Sequence, residues 1–387
     1  MRAFLSKYFK GDRIIWLCIV FLLLIGLAGV YSAMGSLAFK VKGGDTEYYL
    51  LKHGAFVFIG FIIMYFCHMM DYRYFSRIAQ MLLILSFILL PITLLLGDST
   101  NEATRRLTIL GISFQTSDLA KVSLIMFIAR QLSIKQDKTH EWKTLWPILL
   151  CIVVMCGLIA PENLSTALVL FATCFLVLFI GRISLKFLGS LFGMAALAAG
   201  IGFIFLLNVD STSSWAQSTR IPTWKARVER FMGGEEVESP QVTQAKIAVS
   251  TGGLLGKGPG KSTQRVFLPH SYSDFMFAFL IEEYGLLVGG ILVMAAYFLI
   301  LLRTVRIVIK SPKAFGALLA VGLGFFLCIQ AFIHMGVSVN LLPVTGLTLP
   351  LVSWGGTSLI FNSLAFGAIL SVSRYIDNEE VTKAEAT

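Results

Sequence analysis

Apolar residues fall along this chain in continuous blocks that are long enough to cross a bilayer. A membrane-spanning helix needs about 20 apolar residues, and the blocks lack the alternation typical of a transmembrane β-strand. The pattern therefore predicts an all-α integral membrane protein of about ten transmembrane helices. We expect these spans at residues 14–33, 50–70, 75–97, 117–134, 144–160, 164–181, 184–207, 275–303, 313–335 and 347–373.

Composition supports this class and excludes a soluble fold. Of the 387 residues, 56% are apolar and 14% are charged, whereas a soluble domain carries roughly 25% charged residues. The net charge of +10 comes from Lys and Arg at the span ends, so it predicts membrane orientation and not a nucleic-acid partner. All six cysteines lie within apolar spans without metal-ligand spacing, which favours small buried side chains.

The distribution of Lys and Arg predicts that both termini face the cytoplasm. With that assignment, 18 of these residues lie in the segments predicted inside and five in the short outside loops. Residues 1–387 then form a single polytopic domain, with a large extracytoplasmic loop at 208–274 and a short cytoplasmic tail at 375–387. The loop lies between spans seven and eight, and its aromatic residues and Gly-rich stretch favour a folded, functional segment.

Ionisable residues at the ends of spans are candidates for function, because charge is costly in a membrane. Asp118 and Lys121 lie one turn apart in span four, whereas Asp274 opens span eight, with Glu282 and Glu283 about two turns further on. A purely structural interpretation stays open. In it, Asp118 pairs with Lys121 within one helix, and Asp274 caps the next.

Two Gly- and Pro-rich segments have two interpretations each. Residues 252–262 resemble a phosphate loop without matching a Walker motif, so they predict either a pyrophosphate site or a flexible re-entrant turn. Residues 343–358 place helix breakers at the start of the last span. They favour either irregular backbone along a cavity or close helix packing by small residues.

Several motifs, in order along essentially the whole chain, resemble the SEDS family of membrane-embedded peptidoglycan glycosyltransferases. They are FQTSDLAK at 114–121, PENLST at 161–166, FLPHSYSDF at 267–275, EEYG at 282–285, LPVTG at 342–346 and SWGGTS at 353–358. Within the family, the segment at 258–262 looks more like the division members than the elongation members. The chain departs from the usual family pattern at Asp118, His270 and His334, where Glu, Glu and Asn are common.

The resemblance implies polymerisation of lipid II at the outer face of the cytoplasmic (inner) membrane, in septal cell-wall synthesis. Asp274 is then the catalytic base, and Lys121 its partner, holding the carboxylate ionised. Candidates for the pyrophosphate are Arg106, Arg220, Arg227, Lys257 and Lys261. Further substrate-binding candidates are Gln244, Ser262, Ser353, Gly355 and Gly356. A divalent cation, Mg²⁺ or Mn²⁺, at Asp274 is left open, since the sequence shows no ligand cluster.

The implied partners are lipid II, glycan linked to undecaprenyl pyrophosphate, a class B penicillin-binding protein, other division proteins and membrane lipids. Other functions remain open at this point. They are a lipid II flippase using the same cavity, an elongation-type polymerase, an ion-coupled transporter relaying charge through Glu282 and Glu283, and a scaffold in which Asp274 is dispensable.

Overall fold

Helices form nearly all of this protein. The structure, a computed structural model, describes residues 9–35, 46–100, 103–109, 112–136, 141–209, 221–232, 240–267 and 272–385. The helices are α1 (Arg13–Ala33), α2 (Thr46–Met69), α3 (Arg73–Leu96), α4 (Thr116–Ile134), α5 (Trp142–Ile159), α6 (Leu164–Ile180), α7 (Leu185–Asn208), α8 (Ile221–Met232), α9 (Pro240–Gly252), α10 (Met276–Gly285), α11 (Val293–Lys310), α12 (Ala314–Ser338) and α13 (Thr357–Glu385). A π-helical segment, Leu286–Leu292, joins α10 to α11.

The membrane class predicted from hydropathy is confirmed. Among the described residues, seven helical stretches are long and apolar enough to cross a bilayer: α1, α2, α3, α7, the run from α10 through α11, α12 and α13. Helices α5 and α6 are apolar but shorter. A helix lies at each of the ten predicted spans, while the total of ten crossings and their orientation remain predictions.

Helix α4 lies in the interior of the bundle. It carries Asp118, Lys121 and Arg130, yet nearly every side chain from Thr116 to Ala129 is buried. It packs along α3 and also contacts α12 and α6. Hydroxyl pairs link α3 to α4, with Ser86 Oγ lying 3.0 Å from the Oγ of Ser123. Because protein surrounds α4, its charges face other helices and not lipid.

The last predicted span, from residue 347, begins with the irregular backbone that one interpretation of residues 343–358 expected. Residues 339–356 are irregular, and α13 begins only at Thr357. Pro343 and Pro350 cannot donate to a helical ladder, and Gly346 takes a φ of +67°. The second half of the segment is nevertheless buried, since its apolar residues from Leu347 to Val352 have little exposed surface. It packs so closely on α1 that a Cβ at Gly26 would lie 2.8 Å from the Cα of Val352.

Span eight also differs from the uninterrupted helix predicted at 275–303. It begins at Met276, breaks at Gly285, and continues through the π-helical segment to Lys310. Gly285 has φ +77° and ψ 171°, a conformation essentially restricted to glycine. The break therefore depends on a residue inside the span.

A small sheet precedes α4, and the all-α prediction did not include it. Strands β1 (Asp98–Thr100), β2 (Ala103–Ile109) and β3 (Ile112–Phe114) form an antiparallel sheet in the order β1-β2-β3. In the large loop, the described residues form α8 and α9, which supports the expectation that this loop is folded.

Candidate functional site: the Asp274 turn

Asp274 lies in a turn immediately before α10. The residue that caps this helix is Phe275, and no side chain provides a capping hydrogen bond. The structural interpretation of Asp274 as a helix cap is therefore not supported. Its side chain is partly exposed, and among the described residues no hydrogen bond or ion pair reaches the carboxylate. Asp274 is thus held by its backbone, while its carboxylate stays available.

The irregular segment before α13 fixes the backbone of this turn. Ser353 donates its hydroxyl to the carbonyl of Ser273 at 2.8 Å, and the Trp354 amide donates to the carbonyl of Tyr272 at 2.8 Å. Gly346 lies beside the carboxylate, since a Cβ there would be 3.7 Å from Asp274 Oδ2. Two motifs about 80 residues apart in sequence therefore meet at the Asp274 turn.

Ser353 was predicted to bind substrate, but its hydroxyl is committed within the protein. Besides donating to Ser273, it accepts a hydrogen bond from the Leu349 amide at 3.0 Å. Gly355 and Gly356 follow it, and a Cβ at Gly356 would meet nothing within 4 Å. These positions surround the turn, and Ser353 supports its geometry.

Lys121 pairs with Asp118, as the structural interpretation of this pair expected. Its ammonium nitrogen lies 2.5 Å from Asp118 Oδ1, and both side chains are over 90% buried. Among the described residues no ion pair joins Lys121 to Asp274. The ammonium group therefore pairs with a carboxylate one turn away on the same helix, and the role of Lys121 toward Asp274 stays a prediction.

Helix α12 lies beside both predicted catalytic residues. The Lys121 ammonium lies 5.5 Å from the ring centroid of Phe326, whereas the helix that follows Asp274 contacts α12 through the hydrogen bond from the Phe277 amide to His334. Those two positions on α12 are eight residues apart, which is about 12 Å at 1.5 Å per residue.

His334 is a site residue that sequence analysis noted only as a departure from the family pattern. It is buried, with Nδ1 lying 2.8 Å from the Leu347 carbonyl. Its Nε2 accepts the amide of Phe277 at 3.4 Å. Nδ1 therefore carries the proton, and this neutral ring ties α12 to the start of α10 and to the irregular segment. A lone histidine in an apolar helix gave no signal for this role.

The Gly-rich loop, residues 252–262, together with Thr263 and Gln264, binds the carboxylate of Glu282. Lys257 Nζ lies 2.6 Å from Glu282 Oε1, and the Thr263 amide and hydroxyl donate to the same oxygen at 3.0 and 2.9 Å. The Ser262 hydroxyl donates to the other oxygen, and the Gln264 amide lies 3.4 Å from both. Lys257 and Ser262, both predicted to bind substrate, are therefore engaged by the protein's own carboxylate.

Glu283 anchors the same loop to α1. Its Oε1 accepts the Ser32 hydroxyl at 2.5 Å, the Gly260 amide at 3.1 Å and the Ser262 amide at 3.4 Å. Both glutamates are buried. These hydrogen bonds make both glutamates anchors of the loop, which argues against a proton or ion relay beginning at Glu282 and Glu283.

The backbone of the Gly-rich loop inserts into the break in span eight. The Lys257 amide donates to the Glu282 carbonyl at 2.9 Å, and the Leu286 amide donates to the Gly253 carbonyl at 2.9 Å. A Cβ at Gly285 would collide with the backbone of Leu254 and Leu255. This exchange explains why α10 stops at Gly285, and it makes the loop an ordered part of the fold.

The other predicted substrate-binding residues are placed less completely. Gln244 is partly buried on α9, whose neighbours Val242 and Ala245 pack with Phe275 at the Asp274 turn. The ammonium group of Lys261 has no hydrogen-bond or ion-pair partner among the described residues. Arg106 is on β2 and Arg227 is on α8, but their side chains lie outside the described part of the structure. Arg220 and His270 lie outside the described residues entirely.

The described residues offer no preformed metal centre. No group of three His, Cys, Asp or Glu side chains there is arranged to hold an ion. Asp274 alone would supply one carboxylate, and octahedral Mg²⁺ usually takes one or two carboxylates together with substrate phosphates. The donor set thus fits a cation only if substrate supplies the remaining ligands.

Comparison with known proteins gives matches over nearly the whole chain. The family model FtsW/RodA/SpoVE, described as "Cell cycle protein", matches residues 12–378. A probable peptidoglycan glycosyltransferase FtsW of Geobacter metallireducens is 32% identical over 378 residues, covering 95% of this chain and 96% of that protein. Stage V sporulation protein E of Bacillus subtilis is 32% identical over 375 residues, covering 96% and 99%.

Two solved structures share the fold. A chain from a study described as "Structural coordination of polymerization and crosslinking by a peptidoglycan synthase complex" superposes with a TM-score of 0.74 at 24% identity, covering 95% of this chain and 98% of that chain. The rod shape determining protein RodA of Thermus thermophilus gives a TM-score of 0.66 at 23% identity, with the same coverage. At these identities the likeness concerns architecture alone.

Proposed function

The chain belongs to the FtsW/RodA/SpoVE family of cell cycle proteins, and from this membership we propose that it is a peptidoglycan glycosyltransferase. Its substrate is lipid II, which it polymerises into glycan strands with release of undecaprenyl pyrophosphate. Two relatives that match nearly end to end support a role in division, since one is named FtsW and the other is a sporulation protein. The family's structural neighbour from a peptidoglycan synthase complex supports a transpeptidase partner, a class B penicillin-binding protein.

The observation that carries this proposal is the state of Asp274. Its carboxylate has no partner among the described residues, while the turn beneath it is fixed by Ser353 and Trp354. A general base has to be within hydrogen-bond reach of the proton it removes, and a carboxylate without a partner, on a fixed backbone, is free to accept that hydrogen bond. Its place just before α10 lets a sugar approach while the lipid tails remain in the bilayer.

In the proposed reaction Asp274 removes the proton from the 4-hydroxyl of the lipid II N-acetylglucosamine. That oxygen attacks the anomeric carbon of the donor glycan, and the bond from this carbon to the undecaprenyl pyrophosphate oxygen breaks. A single displacement on an α-linked donor inverts the centre and gives a β-linked product, so no covalent glycosyl-enzyme forms.

Cationic side chains stabilise the departing pyrophosphate in this proposal. Arg106, Arg220, Arg227 and Lys261 remain the candidates, and guanidinium geometry favours the arginines. We leave out Lys257 and Ser262 because both bind Glu282. Lys121 acts on the site through its charge, while Asp118 sets its position.

The test is polymerisation of lipid II by purified protein, with and without its transpeptidase partner. Asp274→Asn should lower glycan synthesis by at least about a hundredfold, the usual minimum for loss of a general base. Asp71→Asn, at a partly exposed carboxylate that pairs with Arg73 and is distant in sequence, should keep wild-type turnover. Glycan strands made by Asp274→Asn at the wild-type rate would overturn the proposal, and lipid II translocation without any glycan product would identify a flippase.

Lys121 requires a second pair of variants. Lys121→Ala leaves the buried carboxylate of Asp118 without its partner, so lost activity alone would not separate chemistry from stability. The double variant Asp118→Leu and Lys121→Leu removes both charges together. A folded double variant with wild-type turnover would exclude Lys121 from the reaction. A folded but inactive double variant would support a role for Lys121 in the reaction.

A further inference from the structure

A basic cavity opens at the end of span eight that is opposite Asp274. It has a volume of about 380 Å³ and lies between the start of α1, the end of α11 and α13. A second cavity of about 520 Å³ adjoins it, because Gly11, Arg13 and Asp377 line both. Both volumes fall within the roughly 300–1,000 Å³ typical of small-molecule sites. Arg303 follows Asp274 by 29 residues and lies near the other end of span eight, so this is a separate site.

Five cations and two carboxylates line the two cavities. The cations are Lys10, Arg13, Arg303, Arg306 and Lys310, and the carboxylates are Asp12 and Asp377. The lining therefore carries three net positive charges. All five cations belong to segments that the Lys and Arg distribution predicts to be cytoplasmic.

Both carboxylates already have partners. Asp12 Oδ1 accepts the amides of Ile14 and Ile15 at 2.9 and 3.2 Å, while its Oδ2 lies 2.5 Å from Arg303 Nε. Asp377 lies next to the Gly11 backbone amide. The repulsion that they would exert on an incoming anion is thus partly neutralised within the protein.

Three of the cations, Lys10, Arg13 and Arg306, have no such partner among the described residues. Among the described residues, no hydrogen bond or ion pair reaches the guanidinium groups of Arg13 and Arg306, and both side chains are exposed. Lys310, by contrast, pairs with Glu380 at 2.9 Å. The two arginines come from different helices, α1 and α11, and face one cavity, an arrangement suited to a phosphate group.

Apolar surface continues from the cavity along the same helices. Ile14 lines the cavity and is 39% exposed, Leu17 on α1 is 69% exposed, and Ile309 on α11 is 78% exposed. A ligand with a phosphate head and hydrocarbon tails would place the head between the arginines and the tails against these side chains.

We propose that this cavity binds the phosphate group of an anionic phospholipid, with Arg13 and Arg306 as its principal contacts. Basic pockets between transmembrane helices on the cytoplasmic side are recognition sites for anionic headgroups. The group recognised is the phosphate, which a soluble phosphate ion also carries. The exposed apolar side chains beside the cavity favour the lipid as its source. This site is independent of the proposed glycosyltransferase activity.

The test is lipid binding by the purified full chain in neutral detergent, followed by native mass spectrometry. Phosphatidylglycerol and phosphatidylcholine are titrated separately, and the protein should bind the first more tightly. Arg13→Gln with Arg306→Gln should weaken phosphatidylglycerol binding about fivefold per arginine, or about 25-fold together. Arg77→Gln with Lys186→Gln removes the same charge from two other exposed positions and should leave the affinity within about twofold, as a screened surface charge would.

Inorganic phosphate provides the third arm. If millimolar phosphate displaces phosphatidylglycerol from wild-type protein, the phosphate alone is recognised and a soluble source qualifies. If it does not, the lipid is the ligand. Equal affinity for the two lipids would overturn the proposal, and so would equal losses in the cavity pair and the control pair.

Discussion

Two acidic regions of span eight, eight residues apart, have opposite surroundings. Glu282 and Glu283 are buried and accept hydrogen bonds from the Gly-rich loop and from Ser32. Asp274 is partly exposed, and no donor among the described residues reaches it. Sequence spacing made all three carboxylates candidates for catalysis. The hydrogen-bond donors around them separate the two glutamates, which anchor the loop, from Asp274, which stays available to react. A carboxylate that accepts several hydrogen bonds from the protein stabilises the fold. One that accepts none can take a proton from a substrate.

The largest effect expected on stability is at Glu282. Glu282→Ala would leave Lys257 and several loop donors without their acceptor, which should lower the free energy of unfolding by about 3–5 kcal/mol. The thermal unfolding midpoint in detergent should fall accordingly. Glu380→Ala removes an exposed partner of Lys310 and should cost no more than about 1 kcal/mol. Equal stability of the two variants would show that the loop does not depend on Glu282.

The next largest effect on stability is expected where the backbone of the Gly-rich loop is hydrogen-bonded to the break in span eight. Gly285→Ala adds a Cβ at φ +77° and ψ 171°, against the backbone of Leu254. We expect a loss of at least about 1–3 kcal/mol, together with greater proteolysis of the Gly-rich loop. Gly193→Ala is the matched control, since a Cβ there meets nothing within 4 Å and α7 gains helix propensity. A Gly285→Ala protein as stable as this control would contradict the inserted-loop geometry.

The sequence predicted those parts of the fold that depend on local hydropathy. The predicted spans at 117–134 and 164–181 match α4 and α6 closely, because polar residues bound each apolar block. The break at Gly285 was not predictable in the same way, since it requires a loop some 30 residues earlier to donate to the helix. The strands at 98–114 were not predictable for a similar reason, because strand pairing depends on register between segments and not on composition.

In the candidate site, too, the sequence predicted what local motifs determine and missed what depends on contacts between distant residues. Asp274 was identified by its motif, and its neighbour Gly346 belongs to another recognised motif. For Lys121, spacing allowed both Asp118 and Asp274 as partners, and only the three-dimensional arrangement selects Asp118. The role of Lys257 was predicted from its glycine-rich surroundings, but Glu282, which binds it, lies 25 residues away.

A smaller effect on stability is expected at the support of the Asp274 turn. Ser353→Ala removes the donor to Ser273 and the acceptor for Leu349, which should cost about 1–2 kcal/mol. Ser363→Ala is a matched control, because the Ser363 hydroxyl is buried without a partner among the described residues. If Ser353 positions Asp274, its variant should also lose turnover while keeping its affinity for lipid II. Unchanged turnover in folded Ser353→Ala would limit Ser353 to stability.

The smallest effect on stability should come from the residue with the largest effect on activity. Asp274→Asn keeps the shape of the side chain and removes a charge that no described donor stabilises, so unfolding should change by less than about 0.5 kcal/mol. Glu282→Gln makes the same chemical change where several donors converge, and it should cost about 1–3 kcal/mol. Measuring both unfolding midpoints under identical detergent conditions tests the distinction directly. If Asp274→Asn is the more destabilised of the two, then Asp274 is an anchor like the glutamates, and the proposed base must be sought elsewhere.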